Sequence, residues 1–189
     1  METIRTFIAI PLPESILAEF EKLYQEMRSL FPGVKWVKPH SIHLTLKFLG
    51  NLPPQELQKV FQAMDDFFQT PVHSFNLTVG GQGAFPNFKR PRVLWVGVQG
   101  SGLDALKSLQ RDLEEALARE GFEKEDRAFS PHLTVGRIKY PKNLTELVES
   151  FRNFPFPQME FQADRVHIMR SQLRPEGAEY SVQKSYELI

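Results

Sequence analysis

The chain has 189 residues, 41% hydrophobic and 24% charged, which suits one domain with a substantial core. Its 23 Lys and Arg balance 23 Asp and Glu, so it lacks the basic surplus of proteins that track long duplexes through counterion release, and a local site for a short nucleic-acid end fits better. The absence of cysteine excludes disulfides, thiolate nucleophiles and cysteine-ligated metals.

In chain order, Ile4–Ile10 reads as a buried strand closed by Pro11 and Pro13. Glu14–Leu30 follows as a helix, with Ile16, Leu17, Phe20, Leu23, Tyr24, Met27 and Leu30 on one stripe. The short apolar run Phe7–Ile10 is no signal-peptide core, and no segment approaches the ~18 apolar residues of a membrane span. A cytoplasmic protein with no membrane attachment is the expectation. After Pro32-Gly33 come an extended piece at Val34–Val37, a strand at Ser41–Gly50, a proline-opened helix at Pro54–Gln69 and an alternating strand at Ser74–Val79. The order then restarts with a strand at Val93–Val98, a helix at Gly102–Arg119, a strand at Ser130–Lys139, a helix at Leu144–Phe154 and a strand at Phe161–Met169. A last strand, Glu179–Leu188, ends the chain.

A shift of 89 residues lays the first series on the second, Ile4 on Val93, His43 on His132 and Phe75 on Asp164. The implied architecture is one α+β domain over residues 1–189, with an internal repeat at about 4–80 and 93–169. Each copy is a β-α-β-α-β unit. The two form pseudo-symmetric lobes whose mainly antiparallel sheets line a central cleft, with the helices outside.

The repeat carries His-x-Thr twice, in Ile42-His43-Leu44-Thr45-Leu46 and in Pro131-His132-Leu133-Thr134-Val135. Strand alternation puts each imidazole and hydroxyl on one face, ~6–7 Å apart, with Leu44 and Leu133 anchored opposite. Two imidazoles across a cleft suit metal-free cleavage of a phosphodiester: one takes a proton from attacking water and the other protonates the departing alkoxide. The threonine hydroxyls can donate to the non-bridging oxygens as charge builds on them. A single His-x-Thr is ordinary strand sequence, but two at the offset of the surrounding repeat are not. Chemistry alone leaves open which histidine is acid and which is base.

These motifs resemble those of the 2H phosphoesterase superfamily, specifically the bacterial and archaeal RNA 2′,3′-cyclic phosphodiesterases formerly called 2′-5′ RNA ligases. The resemblance spans nearly the whole chain, through Arg5–Ile10, Ser41–Gly50, Pro91–Gly97, Phe129–Arg137 and Ser171–Tyr180. It implies hydrolysis of a terminal 2′,3′-cyclic phosphate to a 2′-phosphomonoester, with possible use of the site in reverse for 2′-5′ ligation. It also implies His43 as proton donor and His132 as proton acceptor, with Thr45, Thr134 and Arg137 at the phosphate. No metal or cofactor is implied. The partners would be RNA ends, tRNA halves among them, or small cyclic nucleotides, and a monomer is expected.

Secondary positions have plainer readings. Arg137 lies five residues after His132, on the opposite face of a regular strand, though Gly136 permits a bulge that would redirect it. Phe48 is a base-contact candidate better read as core, and Lys47 reads as a solvated strand residue. The Gly/Pro-rich segment Gly80–Arg92 offers Lys89, Arg90 and Arg92 beside Phe85 and Phe88. It fits an RNA-contacting flap or a plain connector equally well. His40, His73 and His167 read as satisfied structural histidines. A metal hydrolase would need a ligand motif such as His-Glu-x-x-His, which is absent. A non-catalytic RNA-end-binding module and a 2H enzyme acting on a small cyclic nucleotide are the rival functions.

Overall fold

The computed structural model describes residues 3–139, 143–174 and 177–189. Pro175 and Glu176, within the expected Ser171–Tyr180 motif, lie outside the described residues. The chain runs β1 (Ile4–Ile10), α1 (Glu14–Leu30), β2 (Lys35–Trp36), a 3-10 turn (Pro39–Ser41), β3 (Leu44–Leu52), α2 (Pro54–Phe67) and β4 (Phe75–Phe85). It continues through β5 (Val93–Gln99), α3 (Leu103–Arg119), β6 (His132–Arg137), α4 (Leu144–Asn153), β7 (Met159–Ala163), β8 (Arg165–Arg174) and β9 (Gly177–Glu187).

The helices form where apolar residues recur at helical spacing. Ile16, Phe20, Leu23 and Met27 are the buried stripe of α1, and Leu106, Leu109, Leu113 and Leu117 that of α3. Proline opens α2 at its first position, where the missing N–H costs nothing. Just past α3, Gly121 takes a φ of 91°, a left-handed geometry that favours glycine.

Among the described residues all strand pairings are antiparallel and build two sheets, one ordered β3-β1-β8-β9 and the other β2-β6-β5-β4-β7. The repeat is visible in them, but its halves are interleaved. β1 and β3 of the first copy take β8 of the second, while β5 and β6 of the second copy take β4 of the first. Leaving aside β2, β7 and β9, each sheet thus contains the first two strands of one copy and the third of the other. A single apolar core runs through both, including Ile8, Leu44, Leu77, Leu94, Leu133 and Ile168.

Several boundaries differ from expectation. β4 continues to Phe85, because Gln82–Phe85 pair with Val93–Val96, so half of the expected loop is strand. The single strand expected at Phe161–Met169 is two, β7 and β8, which break at Asp164 and go to different sheets. The strand expected from Ser41 starts at Leu44, after the 3-10 turn, so His43 sits just before β3.

Candidate active site

Both His-x-Thr arms open onto one cleft of about 1150 Å³, lined among others by His43, Thr45, Phe48, His132, Thr134 and Arg137. β3 and β6 are the strands of the two sheets that approach each other there. Leu44 and Leu133, between each histidine and threonine, are fully buried anchors.

The two arms share a backbone device that the sequence suggested only beside Gly136 and not in the first arm. Ile8 pairs with Lys47 and Ala9 with Thr45, leaving Leu46 as an extra, bulged residue in β3. In β6, Leu94 pairs with Gly136 and Trp95 with Thr134, leaving Val135 as the extra residue. Leu46 and Val135 are equivalent under the 89-residue shift. A bulge reverses alternation beyond it, so Phe48 joins the face of Thr45, and Arg137 joins that of Thr134.

Two readings change in consequence, those of Phe48 and Lys47, and Arg137 is redirected in the way a bulge beside Gly136 was expected to permit. Phe48 is no core residue but 63% exposed at the cleft. Arg137 reaches the cleft face that a regular strand would deny it. Lys47 is buried, not solvated: its Nζ donates to Glu114 Oε2 at 2.6 Å and to the carbonyl of Glu123 at 2.7 Å. Glu114 Oε1 also accepts from Gln110 Nε2 at 3.2 Å. This polar cluster ties the bulged part of β3 to α3 and to the segment before β6. Gly136 is needed for a reason other than the bulge itself, since a Cβ there would meet the Trp36 ring at 2.9 Å.

Each imidazole is oriented by the carbonyl two residues earlier. His132 Nδ1 lies 2.7 Å from the oxygen of Ser130, and His43 bonds to the backbone of Ser41, the equivalent position. With Nδ1 of His132 so engaged, its Nε2 is the nitrogen left for chemistry. Aromatic rings hold both. His43 stacks on Phe7 at 4.6 Å and meets Tyr180 edge-on at 5.1 Å; His132 meets Phe85 edge-on at 4.8 Å. Trp95 lies behind His132, at 6.4 Å between ring centres, over Gly83, where a Cβ would come within 2.1 Å of the indole.

Burial depresses both imidazoles. His43 is pushed down to about 4, the Ser41 bond offsetting only part of the loss. His132 is lowered by burial and further by the charge of Arg137, against the opposing Ser130 bond. Both are therefore neutral near pH 7. Burial raises the Tyr180 phenol, although the charges of Arg5 and Arg137 pull the other way. Phe7 and Tyr180 were not singled out from sequence and Phe85 only as part of the Gly80–Arg92 segment, because strand pairing is what brings them to the histidines.

Of the expected basic segment, Phe85, Pro86 and Arg92 line the cleft, whereas Lys89 and Arg90 are exposed on the turn beyond. The backbone N–H groups of those two donate to Asn87 Oδ1 at 3.0 and 3.2 Å, which makes the tip an Asx-type turn. Phe88 lies under the guanidinium of Arg152 at 5.1 Å. His40 and His73 are exposed, so neither is the structural histidine expected; His167 is partly buried on β8.

The chain matches the 2′-5′ RNA ligase superfamily over residues 12–174. It is 34% identical over 180 residues to the RNA 2′,3′-cyclic phosphodiesterase of Thermotoga maritima, covering 95% of this chain and 92% of that protein. With the RNA 2′,3′-cyclic phosphodiesterase of Methanothermobacter thermautotrophicus it shares 32% identity over 188 residues, 98% and 99% of the two chains. Among solved structures, TT0787 of Thermus thermophilus superposes with a TM-score of 0.75 at 30% identity, covering 97% of each chain. E. coli LigT, crystallised with 3′-AMP, has the same fold, with a TM-score of 0.73 at 22% identity over 99% of each chain.

Proposed function

The chain belongs to the 2′-5′ RNA ligase superfamily, and from that premise we propose that it is an RNA 2′,3′-cyclic phosphodiesterase working by two-histidine acid–base catalysis. Its relatives at 30–34% identity that carry this name support the activity. The observation that carries the mechanism is the duplicated arm: histidine, threonine, orienting carbonyl and bulge recur at one offset and open onto one cleft.

In this reading water attacks phosphorus and the bond to the 3′-oxygen breaks. His132 Nε2 takes the proton from water, and His43 gives one to the 3′-oxygen, leaving a 2′-phosphomonoester. Thr45, Thr134 and Arg137 donate to the non-bridging oxygens, where negative charge grows. Phe48 and Arg92 contact the terminal nucleotide. An RNA 5′-hydroxyl in place of water would give a 2′-5′ linkage by the same proton transfers. Residues 1–189 act here as one bilobal domain.

His43 must hold a proton to act as acid, yet burial holds its imidazole down at about 4. The low dielectric that penalises the isolated cation also strengthens its attraction to an anion. A bound phosphodiester therefore raises this imidazole, and protonation accompanies binding. The test is an oligonucleotide ending in a 2′,3′-cyclic phosphate, with the product identified. A 2′-phosphate is expected; a 3′-phosphate overturns the regiochemistry, and no hydrolysis overturns the enzyme reading.

A further inference from the structure

The cleft face of the four-stranded sheet extends past the histidines in an ordered series of side chains. Antiparallel partners lie on the same face, so Ala9 with Thr45, Phe7 with Phe48, and Arg5 with Asn51 form successive rows across β1 and β3. On the other side of β1, Arg5 is opposite Ser171 of β8, which in turn is opposite Tyr180 of β9. The His43 ring lies over Phe7, and Arg5 is two residues on, about 7 Å along the strand. The face thus presents an imidazole, then the rings of Phe7 and Phe48, then a row with a guanidinium, an amide and a hydroxyl, from which the Tyr180 ring reaches back to Phe7 at 5.2 Å.

That third row contributes to a separate depression of about 310 Å³, lined by Arg5, Asn51 and Ser171 together with Ile4, Arg170 and Gln172. Arg5 is exposed. The Tyr180 phenol lies within electrostatic reach of both Arg5 and Arg137, so the depression and the catalytic cleft adjoin across one ring.

We propose that Arg5, with Asn51 and Ser171, forms a second phosphate site that holds the internucleotide phosphate on the 5′ side of the terminal nucleoside. This rests on the reading of the chain as a phosphodiesterase of RNA ends. The cyclic phosphate sits between the histidines, the terminal nucleoside lies along Phe7, Phe48 and Tyr180, and the next phosphate meets the guanidinium. Aromatic contact and a phosphate-pairing arginine are the means by which proteins hold single-stranded nucleic acid without reading its sequence. The site would make the enzyme favour a chain end over a free cyclic mononucleotide.

The experiment compares a nucleoside 2′,3′-cyclic phosphate with a dinucleotide ending in the same group. The wild type should prefer the dinucleotide in kcat/KM by roughly tenfold or more, the scale of one charge-assisted contact. Arg5→Gln should shrink that ratio, and so should a neutral methylphosphonate linkage in the dinucleotide, with the two changes together no worse than either alone. A ratio unchanged by Arg5→Gln, or additive losses, would overturn the site. Affinity for a dinucleotide with a terminal 3′-phosphate, measured by fluorescence anisotropy, reads the same contact without turnover. Weaker binding by Arg5→Gln in the absence of any hydrolysis would sink the enzyme reading and keep the site; equal binding would sink the site.

Discussion

The arms of His43 and His132 have the same backbone and different contents. Both place a histidine and a threonine on the cleft, bond the imidazole to a serine carbonyl and bulge one residue after the threonine. Beyond the bulge they diverge, with Lys47 and Phe48 in one and Gly136 and Arg137 in the other. The first arm delivers an aromatic ring to the cleft and buries a cation in its support. The second delivers a cation to the cleft and needs no side chain at the supporting position, where Trp36 packs. In the proposed mechanism, symmetry supplies opposed catalytic groups and the departures from it tell one end of the substrate from the other.

The sharpest way to test their equivalence is to remove each imidazole. His43→Ala and His132→Ala should each lower kcat by about 10²–10⁴-fold, the range for a positioned acid or base, with far-UV circular dichroism unchanged. A large loss from one and a small loss from the other would show that only one arm handles a proton.

Next is the support of the first arm, which the second lacks. Lys47→Met leaves Glu114 buried without its cation and should cost about 3–5 kcal/mol, measured by urea unfolding. Lys47→Met with Glu114→Leu should recover most of that, because two apolar groups leave no orphaned charge. If the single variant is as stable as wild type, the pair is not a support.

Acid should act through the more deeply depressed histidine. His43 falls from 6.5 to about 4 on folding, so between those pH values the unfolded chain binds more protons and stability declines as pH drops. The full effect is about 3 kcal/mol, present above pH 6.5 and lost by pH 4. His132 adds to it in the same direction. Unfolding at pH 7 and pH 4 should therefore show a smaller acid loss in His43→Gln than in wild type. In kinetics, kcat/KM reports the free enzyme and should peak on the acid side of neutrality, whereas kcat, reporting the complex, should peak at higher pH.

The smallest expected effects separate the two residues placed by the bulges. Arg137→Leu removes a charge from the phosphate and should cost about 1.5–3 kcal/mol in kcat/KM for any cyclic-phosphate substrate. Phe48→Ala should cost about 1–3 kcal/mol, chiefly in KM, and more for a purine than for a pyrimidine end. Parallel effects across substrates would mean that the two arms do not divide phosphate from base.

Much of this comparison was legible beforehand. The 89-residue shift, the paired His-x-Thr motifs and the helical stripes are local patterns, and local geometry settles them. The bulge in β3 was not legible and the one in β6 only as something Gly136 permits, because Leu46 and Val135 look like any apolar strand residues until their partners on β1 and β5 are known. Hence Phe48 read as core and Lys47 as solvated, while only the family resemblance and the bulge that Gly136 permits turned Arg137 towards the phosphate. Nor could the alternation in β4 and β8 reveal that each crosses to the other copy's sheet, since strand sequences state which face is buried but not which neighbour buries it. The sequence by itself determined which groups could do the chemistry and that they come in two equivalent sets. Tertiary structure decided what stands beside each, because strand register and burial depend on residues far apart in the chain.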